Sequence, residues 1–147
     1  MKNEQLIQVW KEGRTRFTRL LEQAGPGDLP KKHGKSPNSA GFLIRHSAEV
    51  ELLFAKNVFG KKDVKITAKT LIAGKDTGDW TDLEELKAFS SYAEVMLEEA
   101  IAAQKDWDES IETKEFGKKT KSEAFGRILT HTAYHAGQLA LILKYGD

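Results

Sequence analysis

The sequence predicts an all-α protein: a four-helix bundle running up-down-down-up, with a long crossover between its second and third helices. Three observations carry this expectation. Four segments place apolar residues at alternating steps of three and four, the period of a helix with one buried face. Glycine and proline clusters separate those segments. Residues 60–81 form a connection much longer than neighbouring antiparallel helices need, and long enough to return along the bundle and start the third helix parallel to the second.

In the first helix the inward stripe reads Leu6, Val9, Gly13, Phe17, Leu20 and Ala24, and Gly25-Pro26 ends it. Residues 25–38 hold Pro26, Pro30 and Pro37 together with Lys31, Lys32 and Lys35, so they form a loop. The second helix begins near Ser39 and runs to about Phe59, with Phe42, Leu43, His46, Val50, Leu53 and Phe54 on one face and Gly60 as its stop. Thr81 with Glu84 three residues on reads as the capping box of the third helix, whose stripe is Leu86, Phe89, Ala93, Met96 and Ala100. The fourth runs from about Ser122 to Tyr145, with Phe125, Ile128, His131, His135, Leu139 and Ile142 on one side and Gly146 as its stop. In the connections, Val64, Ile66, Leu71 and Ile72, and likewise Trp107–Thr120, pack over a bundle edge or form short extended pieces.

A chain of 147 residues is one domain's worth, so residues 1–147 are read as a single domain. With 39% hydrophobic and 31% charged residues the chain is neither disordered nor a membrane protein. Its longest stretch without Lys, Arg, Asp or Glu, Ile128 to Leu143, is too short to span a bilayer. The opening MKNEQLIQVWKEGR is charged throughout and carries no export signal, so a cytoplasmic location is expected. A formal net charge of +1 provides no field for gathering nucleic acid or anionic lipid, and neither is expected as a partner. The absence of cysteine excludes disulfides, thiolate nucleophiles and Cys-based metal sites, which leaves histidines and carboxylates to hold any ion.

Histidine is scarce, and three of the four fall on inward faces. His131 and His135 stand one helical turn apart, about 6 Å along the axis, a spacing at which both rings reach one ion. His46 lies on the inward stripe of another helix, and facing helices about 8–10 Å apart bring such tips together. Three neutral nitrogen donors suit zinc, nickel or iron and leave a coordination position for water or substrate. The same residues also read as core histidines bonded to carbonyls or carboxylates. Because an unperturbed imidazole titrates near about 6.5, a three-histidine site is expected to release its ion below about pH 6.

The second helix reads SAGFLIRHSAE, with His46, and the fourth reads ILTHTAYHAGQLALIL, with His131, His135, Gly137 and Gln138. Together with a tryptophan in the first helix, the long crossover and a third helix without histidine, this order resembles the DinB family of bacterial four-helix proteins over essentially the whole chain. The resemblance implies that His46, His131 and His135 coordinate a divalent metal ion, usually nickel or zinc, at one end of the bundle, and that the protein is a homodimer. It also implies a metal-dependent enzyme that joins a small-molecule thiol of the bacillithiol type to an electrophilic substrate, with no catalytic residue beyond the metal site; other members have mycothiol- or glutathione-linked roles. Ala136 stands where the family often has a basic residue, which removes an anionic contact there. An open metal position equally serves a hydrolase, and an ion that merely locks the bundle would make a non-catalytic metal- or small-molecule-binding stress protein.

Among other polar candidates, Gly137 and Gln138 read as a small residue for close helix approach and a polar group that satisfies it. His33 belongs to the solvated lysine-rich loop. Glu49, three residues after His46, reads either as an acceptor that fixes an imidazole tautomer or as a surface ion pair with Arg45 or Lys56. Tyr134 reads as packing, and Arg14 and Arg16 as a solvated face.

Overall fold

A computed structural model describes residues 2–147. It is mostly helical: α1 (Lys2–Gln23), α2 (Ala40–Leu53), a short α3 (Lys69–Ala73), α4 (Leu83–Ala102) and α5 (Lys121–Tyr145), with a two-stranded sheet of β1 (Ser110–Thr113) and β2 (Gly117–Thr120). Among the described residues, no helix is long and apolar enough to cross a membrane.

α1 buries a face rotated by one residue from the expected stripe. Trp10, Arg14, Phe17 and Leu21 are inside, while Val9 is 50% exposed. An arginine on the inward face hides this from a reading of apolar spacing, and Arg14 is buried rather than solvated. Its guanidinium grips Glu51 of α2 twice, at 2.9 and 3.0 Å, and also reaches Ser90 Oγ at 2.9 Å and Glu94 at 3.1 Å on α4. Glu51 is fully buried; burial pushes its carboxyl pKa up against the pull of Arg14. Arg16 is exposed, as expected.

Ser39 caps α2 by accepting from Phe42 N–H at 3.2 Å. The helix does not continue unbroken to Phe59. Residues Phe54–Val58 form a π-turn, in which Phe59 N–H donates to the Phe54 carbonyl at 2.9 Å. The wider turn lets Phe54, Ala55, Val58 and Phe59 all enter the core, which a turn of 3.6 residues would spread over a broader arc. The first turn of α2 also meets the chain entering α4: a Cβ at Gly41 would lie 1.9 Å from the Trp80 carbonyl oxygen.

The crossover buries Val64 and carries α3, which Gly74 ends in the left-handed conformation, while Ile72 is 78% exposed. The cap of α4 is Asp82, accepting from Glu85 N–H at 3.1 Å, rather than Thr81. Both residue types cap well, so the sequence placed the helix start one residue early. The region read as a packed or extended piece, Trp107–Thr120, holds an antiparallel hairpin in which Ser110 faces Thr120 and Thr113 faces Gly117. Thr120 closes a capping box with Glu123 and starts α5 at Lys121, one residue before the expected Ser122.

The long helices pack in pairs, α1 on α5 and α4, and α2 on α4 and α5. Two core clusters result. One gathers Trp10, Leu52, Leu97, Ile101, Phe125 and Ile128; the other gathers Phe17, Leu21, Leu43, Leu86, Leu139 and Ile142. The early part of α1 and α5 thus shares a cluster with the late part of α2 and α4, and the reverse holds in the other cluster.

Candidate metal centre

His46 comes from the middle of α2, and His131 and His135 from the middle of α5. Ile128 belongs to one core cluster and Ala136 to the other, so the histidines lie between the clusters and not at an end of the helices. All three are half-buried, and one ring nitrogen from each lies within 4.8 Å of the other two. The ring centroids of His46 are 5.2 Å from those of His131 and 5.0 Å from those of His135. Phe42, one turn before His46, stacks on its ring at 5.7 Å with an interplanar angle of 4°.

The donor set fits a divalent ion. His131 Nε2 and His135 Nε2 are 3.2 Å apart. Two nitrogens about 2.0–2.1 Å from one tetrahedral zinc stand about 3.3–3.4 Å apart, so little movement is needed for both to ligate. His135 Nδ1–H donates to Gln138 Oε1 at 2.7 Å, which leaves its Nε2 lone pair toward His131. His46 Nδ1 lies 3.3 Å from Thr70 Oγ1, and His131 Nδ1 is buried without a protein partner among the described residues.

Electrostatics keep the cluster neutral. Burial first, then the proximity of His135, lower the pKa of His46 to about 4 against the opposing pull of Glu49. Burial, then His135, His46 and Arg127 lower that of His131 to about 3. Burial also lowers that of His135, while its bond to Gln138 works the other way. Neutral imidazole is the ligating form, so His46 and His131 stay in it well below the expected pH of 6, and burial moves His135 in the same direction.

The centre opens into a cleft of about 180 Å³. His46 and His131 share its lining with Val50, Leu53, Phe54 and Val58 from the late part of α2 and the π-turn, Leu71 of α3, and Arg127 of α5. Asn57 of the π-turn and Glu115 and Phe116 at the hairpin tip complete it, with the Phe116 ring 5.8 Å from that of Phe54. The cleft thus joins apolar walls to a nitrogen-lined patch and charged groups.

The remaining sequence candidates separate clearly. Glu49 is not a surface group; it is wholly buried and takes Arg45 Nε–H at 2.6 Å. Gln138 contacts a site histidine directly. A Cβ at Gly137 would meet nothing within 4 Å, so close helix approach is not its role, and nothing in the structure explains this glycine. Tyr134 is 66% exposed with its ring 5.3 Å from that of His135, and His33 is exposed in its loop. Thr70, Leu71, Phe116 and Arg127 were missed. Arg127, one turn before His131, had a legible spacing; the others reach the centre through crossover and hairpin contacts with no local signature.

Residues 10–139 match the sequence profile of the DinB superfamily. No curated protein and no solved structure matches the chain.

Proposed function

The chain belongs to the DinB superfamily, and from that premise we propose that it is a metal-dependent enzyme transferring a low-molecular-weight thiol of the bacillithiol type to an electrophile. The observation that carries the reading is the convergence of three imidazoles, two of which, His46 and His131, line a cleft with apolar walls. Three nitrogen donors suit zinc or nickel, and also iron, and leave room for a further ligand. A divalent ion held by His46, His131 and His135 would supply the Lewis acidity that lets a thiol ionise at neutral pH.

The chain's own residues then have limited tasks. Gln138 holds the His135 ring, Phe42 holds the plane of His46, and the walls formed by Val50, Leu53, Phe54 and Phe116 exclude water from an electrophile with an apolar body. A thiol that ionises in this way needs no protein base, so no catalytic residue is assigned outside the centre.

The same proposal reads residues 1–147 as one domain, an up-down-down-up four-helix bundle; the sharing of core clusters between opposite helix ends supports this path. It takes the protein as cytoplasmic, without nucleic acid or membrane partners, and as a homodimer. Exposed Tyr134, Leu141 and Tyr145 lie along one side of α5 and support that assembly.

The test is metal analysis of untagged protein followed by conjugation of a panel of small thiols, bacillithiol first, to monochlorobimane. A metal-dependent rate that falls by orders of magnitude in His46→Ala and after chelation is the expected result. Cleavage of an ester or amide with no thiol transfer would replace the transferase by a hydrolase. Full metal content with neither reaction would make the protein a metal- or small-molecule binder.

A further inference from the structure

The crossover delivers one polar side chain to the histidine cluster. Thr70, the second residue of α3, is only 2% exposed. Its Oγ1–H donates to Glu49 Oε1 at 2.5 Å, and its backbone N–H donates to the same carboxylate at 3.0 and 3.2 Å. Arg45 Nε–H completes the carboxylate's surroundings at 2.6 Å. Glu49 is fully buried, and every partner it meets here is a donor, so the carboxylate acts purely as an acceptor.

A threonine hydroxyl has one proton, and Thr70 spends it on Glu49. Toward His46 Nδ1, 3.3 Å away, Oγ1 can therefore only accept, and His46 must carry its proton on Nδ1. That tautomer leaves Nε2 with the lone pair. We propose that Thr70, backed by the buried Glu49, is a positioning residue that fixes the tautomer and ring orientation of His46 so that its Nε2 faces the other two histidines as a ligand. The relay resembles in its logic the carboxylate partners that orient metal-bound histidines, with a hydroxyl inserted between carboxylate and ring.

Arg45 anchors the relay in turn. Its guanidinium lies 3.6 Å over the Phe89 ring and donates to the Thr67 carbonyl at 2.9 Å, so Glu49 is held from α2, from the crossover and across to α4. The crossover is thereby tied to the metal centre by the residue that orients one of its ligands. This inference rests on the metal reading given above, but the tautomer is a property of the metal-free protein.

The experiment compares wild type with Thr70→Val, which keeps size and removes the hydroxyl, and Thr70→Ser, which restores it. Zinc affinity is measured by competition with a chromophoric chelator, and the His46 tautomer by ¹⁵N chemical shifts of the metal-free protein. Thr70→Val is expected to weaken zinc binding about 10- to 100-fold, as loss of a ligand's orienting partner does, with Thr70→Ser staying close to wild type. His46 should show a protonated Nδ1 in wild type and a mixture of tautomers in Thr70→Val. Unchanged zinc affinity in Thr70→Val, equal losses in Ser and Val variants, or a protonated Nε2 in wild type would overturn the assignment. Failure of wild type to bind zinc would instead remove the metal reading, and the tautomer measurement would then decide the role of Thr70 alone.

Discussion

Removing His131 should abolish stabilisation by zinc while leaving the fold in place. His131 Nε2 lies 3.2 Å from His135 Nε2, with its ring 5.2 Å from that of His46. An ion that binds only the folded state adds RT ln(1 + [L]/Kd), about 2.7 kcal/mol at a free concentration of about 100 Kd. For a chain of this size each kcal/mol moves Tm by about 2–4 °C, so wild type should gain about 5–10 °C. Without that nitrogen only His46 and His135 remain, their rings 5.0 Å apart. If that weakens the site about 100-fold, the same zinc concentration leaves about 0.4 kcal/mol, or about 1 °C. Thermal unfolding with and without zinc, on chelator-stripped wild type, His131→Ala and His33→Ala, makes the comparison. His33→Ala, altered in an exposed loop, should keep the full gain. A full zinc-dependent shift in His131→Ala, or an equal loss in His33→Ala, would refute the three-nitrogen centre.

Acid should destabilise the metal-free protein through the same residues. His46 and His131 have folded-state pKa values lowered to about 4 and about 3, so between those values and the unfolded value near about 6.5 only the unfolded chain takes up their protons. Their contribution is complete above about pH 6.5 and is lost as pH falls toward 4; urea unfolding from pH 7.5 to 4.5 should show a shallower loss in His131→Ala, and parallel slopes would contradict the burial argument. Arg14→Ala strands the fully buried Glu51 carboxylate and should cost about 3–5 kcal/mol, whereas the pair Arg14→Met with Glu51→Leu should recover most of it. Chemical denaturation reads both, and a loss below about 1 kcal/mol in the single variant would mean the ion pair is dispensable. Gly41→Ala drives a Cβ into the Trp80 backbone carbonyl, 1.9 Å away, and should cost about 1–3 kcal/mol or more. Gly13→Ala meets only the flexible tip of Leu129 at 2.3 Å, so it should cost clearly less; equal midpoints for the two would show that α2 and the crossover yield freely.

What the sequence revealed follows the range over which each interaction acts. Ser39, the i, i+4 pair of His131 and His135, and the stop at Gly146 are local features, and each appears where its neighbours place it. The solvated reading of Arg14 and the surface reading of Glu49 failed because a charged residue on a helix is solvated by default; what buries them is a partner from another element, Glu51 and Ser90 for one and Thr70 for the other. The π-turn escaped because Phe54, Val58 and Phe59 also suit an ordinary helical stripe, and only the contacts of both ends show the extra residue. His46 was found by its position on a stripe, but its orientation depends on a hydroxyl 24 residues away in a segment with no regular signal.

The walls of the cleft carry unequal mechanical burdens. Val50, Leu53, Phe54 and Val58 belong to the segment that also fills the core, so altering them to admit a different ligand would disturb the packing of α2 and its π-turn. Glu115 and Phe116 sit at the tip of a four-residue-per-strand hairpin whose turn glycine, Gly117, already adopts φ 74°. That tip can be lengthened, recharged or exchanged while the strands below keep their register and Thr120 keeps its cap on α5. Changes at the tip can therefore alter what enters the cleft separately from the parts that hold the histidines, without rebuilding the helices.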